Sequence, residues 1–328
     1  MKKVFIPQNS TIPVERQFSS RSMQWGNYEF VVSRKSEGIY DFVVVLDDLP
    51  NAIHVECPKN HILLFIGEPP SVKLYPDYYL KQFGHFYSCQ KRLDSWKNHH
   101  HLYPMLPWML YYNYLSPYSV GKDELDYDYF KQLLSHQRLN KICLLTSNKR
   151  FTKGHKKRIN FALKLKELYP ELVDIYGSGF GQMDYKYDVL SKYKYSIVIE
   201  NCSYPDYWTE KLADAFLAGC YPIYYGASNI YRYFDSNQLS IINIEDFENS
   251  VLTIKQILQE DRFEKCKLDI EEAKHLILDK YNMFSQISII LDEIGAKGNM
   301  VDNDVKIIKP LSYNLRWKVL NRINKLFY

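Results

Sequence analysis

The residues whose types and spacing most suggest chemistry lie in 195–226, YSIVIENCSYPDYWTEKLADAFLAGCYPIYYG. An apolar run, Tyr195–Ile199, reads as a buried strand and ends in Glu200-Asn201. A polar, Tyr-rich loop follows, and Thr209 is suited to cap a new helix. Glu210 and Lys211 then occupy the first turn, where free amides and the helix dipole attract an anion. A Lys there suits a phosphate, and the Glu beside it suits sugar hydroxyls. A capped structural helix carrying an ordinary surface Glu-Lys pair is the alternative that spacing leaves open.

Two further segments share that position after a strand. Lys141–Thr146 is followed by Ser147-Asn148 and then by Lys149, Arg150, Lys153, Lys156, Lys157 and Arg158, with no acid among them. Six cations leading into a helix could neutralise a diphosphate leaving group, or form a solvated loop as charge runs commonly do. Gly67-Glu68-Pro69-Pro70 follows the apolar run His61–Ile66. A carboxylate held in a rigid turn is a reasonable general base, although most such Glu residues simply face solvent. Metal chemistry has less support. Asp126-Tyr127-Asp128 is a tidy Asp-x-Asp, but it lies far from the other motifs. Three consecutive histidines, His99-His100-His101, cannot all converge on one ion, and a solvated loop is expected. Gly177-Ser-Gly-Phe-Gly181 is not G-x-G-x-x-G, and no Walker A sequence occurs, which removes dehydrogenase and P-loop readings.

The elements that must position these groups alternate. Asp41–Leu46, His61–Ile66, Lys141–Thr146, Val173–Tyr176, Tyr195–Ile199, Cys220–Tyr225 and Ser240–Ile244 are short strand-like runs, several apolar throughout, as in parallel strands covered on both faces. Helical patterns lie between them at Arg158–Leu168 and Glu210–Ala218, and Val251–Ile294 reads as two or three helices. The class is therefore α/β, doubly wound. At 328 residues the chain suits two domains. The expected division is 1–135, 136–295 and a basic tail, 296–328. In that tail Leu315, Val319, Ile323, Leu326 and Phe327 share one helical face, with Lys318, Arg322 and Lys325 largely opposite. Such a helix either lies on an anionic membrane or packs on the protein. The aromatic cluster Trp108, Tyr111, Tyr112 and Tyr114 is expected to be buried packing, with sugar stacking the alternative.

Composition limits the function classes. The chain is 46% hydrophobic and 24% charged, which excludes disorder, and its net charge is only +4. Without a helix-turn-helix, zinc-finger or RRM signature, nucleic-acid binding is not expected. The longest apolar runs, Phe42–Leu46 and Ile62–Ile66, are far too short to span a bilayer. The start has no signal-peptide pattern. The six cysteines contain no C-x-x-C and are expected to stay reduced.

The 195–226 segment resembles the donor-binding motif of the α-1,3/4-fucosyltransferases, glycosyltransferase family 10. The residues that carry the likeness are Glu200-Asn201, Asp206-Tyr207-Trp208-Thr209-Glu210-Lys211-Leu212, Ala218-Gly219 and Pro222–Gly226. Ser147-Asn148…Arg158 and Gly67-Glu68-Pro69 resemble two further family motifs. Trp208 departs from the pattern, standing where the family usually has Val or Ile. The resemblance implies a GT-B fold: two Rossmann-like, doubly wound domains facing across a cleft, the first binding acceptor and the second GDP-fucose. It implies that Arg158 and Lys211 pair with the diphosphate and Glu210 with fucose hydroxyls. Glu200, Asn201 and Tyr207 belong to the same donor set, Asn201 and Tyr207 lining the pocket, and Glu68 deprotonates the acceptor.

The expected reaction is inverting transfer of L-fucose from GDP-β-L-fucose to a glycan or glycolipid hydroxyl, giving an α-1,3 or α-1,4 linkage. No cofactor is expected, and no divalent metal in the donor site. The expected location is cytoplasmic, with the tail possible as a peripheral contact to the inner face of a bacterial membrane. Alternatives are a transferase of another GDP-sugar, or a non-catalytic nucleotide- or glycan-binding relative.

Overall fold

All seven apolar runs form strands, and they fall into two separate parallel sheets. The computed structural model describes residues 1–8, 12–36, 38–113, 122–134, 136–150, 152–295 and 305–311. These residues make two compact units, each assembled from more than one stretch of chain.

The first unit takes 1–11, 22–106 and 283–328. Its strands are β1 (Lys2–Pro7), β2 (Gln24–Trp25), β3 (Tyr28–Ser33), β4 (Phe42–Leu46), β5 (Ile53–Glu56), β6 (Ile62–Phe65), β7 (His85–Ser88) and β8 (His99–His101). All but β5 form one sheet in the order β2-β3-β1-β4-β6-β7-β8, parallel except for the β2–β3 pair. At its centre β4 is a run of β-branched and aromatic residues with Val43, Val44 and Val45 fully buried, the signature of a strand covered on both faces. Phe5, Val45, Leu64, Phe86 and Tyr79, the last from the short helix α1 (Asp77–Leu80), belong to one core cluster on this sheet.

The second unit takes 12–21 and 107–282. After α2 (Tyr127–Gln132) its sheet uses β9 (Leu139–Leu145), β10 (Val173–Tyr176), β11 (Tyr193–Ile199), β12 (Tyr221–Tyr225) and β13 (Ser240–Ile241). They are all parallel, in the order β10-β9-β11-β12-β13. Helices α3 (Lys153–Leu168), α4 (Lys186–Leu190) and α5 (Glu210–Leu217) connect successive strands. Then come α6 (Phe247–Gln259), α7 (Arg262–Lys265), α8 (Lys267–His275) and a π-helical turn, Leu276–Lys280. From β9 the chain steps to β10 on one side and then returns past β9 to β11. The carboxyl ends of β9 and β11 therefore flank a topological switch point, the usual ligand crevice of such sheets.

The chain next re-enters the first unit with α9 (Met283–Gly295) and β14 (Val305–Ile308). In α9, Ser288 Oγ donates to the Trp25 carbonyl at 3.3 Å, and Asp292 accepts from Tyr28 OH at 2.7 Å. β14 pairs antiparallel with β5.

The units thus divide at 106/107 and 282/283, where the sequence reading sets 135/136 and 295/296. Side-chain chemistry accounts for the shift at the first boundary. Arg16 pairs with Asp123, the Met109 amide donates to Asp214 at 2.7 Å, and Trp108 and Phe130 pack edge to face. These contacts bind 107–134 and 12–21 to the second unit. Of the aromatic cluster, Trp108 and Tyr111 are buried as expected, and Tyr114 lies outside the described residues. The amphipathic pattern of 315–327 also lies outside them. Asp126 and Asp128 serve structure: Asp126 caps α2 and pairs with Arg21, and Asp128 accepts from Ser19 and Ser20. The histidine triplet is a strand, β8, where a loop is expected; pairing with β7 orders it.

Candidate active site

A cavity of about 650 Å³ opens at the switch point of the second unit. Three strand ends supply its walls: Leu145–Ser147 at the end of β9, the Gly177–Gly181 loop beyond β10, and Ser196–Ile199 with Asn201 at the end of β11. Helix α3 contributes His155 and Arg158, α4 contributes Lys186, and α5 contributes Glu210, Lys211 and Asp214.

Arg158 is set by a close approach of α3 to β11. Thr152 caps α3, accepting the His155 amide at 3.2 Å. At Gly154 a Cβ would overlap the Asn201 carbonyl, so only glycine lets this first turn press against the end of β11. Arg158 then donates to Asn201 Oδ1 at 2.8 Å and to Ser147 Oγ at 3.3 Å. It is 5% exposed, and among the described residues it forms no ion pair with a carboxylate. Burial pushes the guanidinium below its ordinary value, against the pull of Glu200. A buried cation with neutral hydrogen-bond partners at a cavity wall is able to pair with an anionic group there.

Lys211 is built differently. Thr209 caps α5, and its backbone amide and hydroxyl both donate to Glu200 at 2.8 Å. Glu200 is sealed in the interior and accepts from Lys211 Nζ at 2.9 Å. Lys211 Nζ also lies 3.6 Å from Glu210. Burial disfavours charge on Lys211, but Glu200 and Glu210 outweigh it and hold the ammonium above its ordinary value. Burial likewise opposes charge on Glu210, yet Lys211 and Lys186 win and its carboxyl falls to about 2. Burial raises Glu200 and Asp214, partly offset by Lys211 and Lys186 respectively.

Sequence reasoning missed three groups here. Lys186 is buried and donates to Asp214 Oδ2 at 2.5 Å, with Glu210 4.0 Å away. His155 hydrogen-bonds Thr152 through Nδ1 at 2.7 Å. Burial, then the cations Arg158, Lys149 and Lys211, drive its imidazole down to about 4. A neutral ring at the start of α3 thus sits among positive charges. Of these groups only Asp214 falls in an expected element, the helix Glu210–Ala218; His155 precedes the expected helix Arg158–Leu168, and Lys186 falls in none.

Of the expected donor set, Arg158, Asn201, Glu210 and Lys211 line the cavity together. Glu200 and Tyr207 do not. Glu200 is buried behind Lys211 as its counter-charge, and Tyr207, 1% exposed, is packed in the interior. Of the six-cation run only Lys149 and Arg158 reach the cavity; Lys153, Lys156 and Lys157 are exposed, and Lys157 pairs with Glu245. Glu68 belongs to the first unit. Its turn is pinned there: Gly67 N donates to Asp47 at 2.9 Å and Gln90 Nε2 to the Glu68 carbonyl at 2.8 Å, and the residue is half-buried.

Residues 135–264 match the family model described as glycosyltransferase family 10 (fucosyltransferase) C-term. Every residue that lines the cavity falls within the match. This stretch is a family 10 domain. Similar curated proteins include GDP-fucose protein O-fucosyltransferase 3 of Danio rerio, 38% identical over 77 residues, which is 24% of this chain and 16% of that protein. Alpha-(1,3)-fucosyltransferase B of Drosophila melanogaster is 43% identical over 60 residues, 18% of this chain and 13% of that one. Alpha-(1,3)-fucosyltransferase FucT of Helicobacter pylori is 38% identical over 64 residues, 20% and 13% respectively. The similarity thus spans only 13% to 16% of these relatives' lengths. A solved alpha1,3-fucosyltransferase with GDP-fucose overlays 92% of this chain and 92% of its own, at 16% identity and a TM-score of 0.49.

Within the family 10 domain the departure at Trp208 turns away from the cavity. Its ring is 3% exposed and packs edge to face on Tyr233, Phe234 and Tyr281. Asp206 anchors the same loop by accepting from Tyr233 OH at 2.7 Å and Asn229 Nδ2 at 2.8 Å. Asp206, Tyr207 and Trp208 are not among the cavity-lining residues, and their contacts hold the loop that leads into α5. Among the described residues no helix is long and apolar enough to cross a membrane.

Proposed function

We propose that the protein is an inverting glycosyltransferase that moves L-fucose from GDP-β-L-fucose to a hydroxyl of a glycan or glycolipid, forming an α-1,3 or α-1,4 link. The observation that carries this reading is Arg158: a buried guanidinium with neutral partners, facing a cavity at the switch point inside the family 10 stretch. As the sugar–phosphate bond breaks, negative charge grows on the diphosphate, and preorganised cations stabilise that charge most in the transition state. Arg158 and Lys211 supply them, so the transfer needs no divalent metal. Glu210, held ionised, accepts hydrogen bonds from fucose hydroxyls. Glu68 removes the acceptor proton during attack on the face opposite the leaving group, which inverts the anomeric centre. The basic 296–328 segment makes a peripheral contact with the cytoplasmic face of the membrane that carries a lipid-linked acceptor such as lipopolysaccharide.

A thermal-shift panel of GDP, UDP, CDP, GDP-fucose and GDP-mannose tests the donor. A nucleotide at ~100 times its dissociation constant adds ~2.7 kcal/mol of stability, an easily read shift. The expected order is GDP-fucose above GDP, with no response to UDP; a preference for UDP would overturn the donor assignment. Product formation with the preferred donor, unchanged on adding Mg2+ or Mn2+, tests transfer. The acceptor panel includes peptide Ser and Thr hydroxyls, because the Danio rerio relative bears a protein O-fucosyltransferase name.

A further inference from the structure

We propose that Asp94, His99 and His101 form a binding site for a first-row divalent transition ion such as Zn2+, in the first unit and apart from the donor cavity. Strand alternation sends His99 and His101 to the same face of β8 and His100 to the other. On that face Asp94, ending the turn that precedes β8, brings a carboxylate to both rings: Oδ1 lies 3.2 Å from His99 Nδ1 and 2.8 Å from His101 Nε2. One ligand atom from each of the three residues falls within 4.8 Å of the others. Tetrahedral zinc with nitrogen and oxygen ligands at ~2.0–2.2 Å places those ligands about 3.3 Å apart, so two of the three edges are already near that spacing.

The surroundings are those of a metal ligand set. His99 is held from behind: its Nε2 meets Ser88 Oγ at 2.8 Å, and its ring stacks on Phe86 at a centroid distance of 5.4 Å. In the tautomer whose Nε2–H donates to the serine, the Nδ1 lone pair would face the ion, the outer-shell arrangement that fixes metal-bound histidine. The Asp94 and His101 side chains are 50% and 41% exposed, which leaves an entry path and room for a water ligand. Two imidazoles and one carboxylate favour Zn2+, Co2+ or Ni2+ over Mg2+ or Ca2+. Because β8 is the edge of the seven-stranded sheet, the ion would clip that edge to the preceding turn.

The test uses chelator-stripped protein carrying no added histidines, titrated with Zn2+ by calorimetry and with Co2+ by visible absorption. One equivalent should bind and raise the melting temperature, with no response to Mg2+ or Ca2+. Asp94→Ala and His101→Ala alter exposed positions, and each should lower affinity by at least ~100-fold. His100→Ala, on the opposite face, should leave it unchanged. Absence of saturable Zn2+ binding at micromolar concentration overturns the site. So does undiminished binding in both variants, or a thiolate-to-cobalt band that puts the ion on a cysteine. None of these readouts depends on fucosyl transfer, so the proposed activity and the metal site stand or fall separately.

Discussion

Arg158 and Lys211 both supply positive charge to the cavity proposed for the donor, but they test the diphosphate assignment unequally. Removing Lys211 also strands Glu200, fully buried and paired to it, so Lys211→Ala should cost ~3 kcal/mol or more of stability as well as activity. Arg158 leaves only neutral Asn201 and Ser147 behind. Arg158→Ala should therefore keep the fold, cut kcat/KM for GDP-fucose by at least ~10²-fold, and erase the GDP thermal shift. Wild-type turnover in that variant would remove its assignment. Asn201, Glu210 and Lys211 were legible in sequence because the motif that places them is contiguous. Lys186 was not, since its partner Asp214 comes 28 residues later on an Ala-rich helix face. His155 was also silent, yet it carries a pH prediction. Its folded value, about 4, lies below the ordinary 6.5. Between those values the unfolded chain binds a proton that the folded chain refuses, so His155 makes stability fall as pH drops from 6.5 toward 4, by up to ~3 kcal/mol. Urea unfolding of wild type and His155→Gln across that window should diverge in slope and run parallel above pH 7.

Among the elements, the first turn of α3 does the most positioning with the least room. Gly154 lies against the Asn201 carbonyl, and one turn later Arg158 reaches the Asn201 side chain. Gly154→Ala must push the helix off β11, an overpacking that should cost about 1–3 kcal/mol and weaken the response to GDP. Lys153→Ala, exposed one residue earlier, should stay within ~0.5 kcal/mol of wild type and bind GDP normally. Equal behaviour of the two variants would mean that this approach is not what sets Arg158. Periodicity found α3 and α5 and every strand of the second sheet, because β9, β11 and β12 contain short apolar stretches and β10 alternates as Val-Asp-Ile-Tyr. It missed β1, β2, β3, β5, β7, β8 and β14. Five of these have four residues or fewer, and β8 consists of three histidines ordered by register with β7 rather than by their own propensity. Short α4 was likewise invisible, and with it Lys186.

At the scale of the whole chain, the sequence showed two α/β units but not how the chain is shared between them. A linear reading assigns contiguous blocks, whereas 12–21 belongs with the second unit and α9 and β14 with the first. Those assignments rest on pairings far apart in sequence, such as Arg16 with Asp123 and Tyr28 with Asp292, which no local pattern encodes. The division has a functional consequence. The cavity that we assign to the donor is lined wholly by residues of the second unit, while Glu68 sits in a pinned turn of the first. If Glu68 is the base, chemistry and donor affinity must separate on mutation. Glu68→Gln keeps the size of the side chain and its backbone contacts, so the turn should persist and GDP-fucose should raise the melting temperature as it does in wild type. Transfer should nevertheless fall by ~10²-fold or more, in kcat rather than in KM for the donor, as loss of a general base predicts. Lost donor affinity in Glu68→Gln would instead make the residue a support for the nucleotide site, and near-normal kcat would place the base elsewhere.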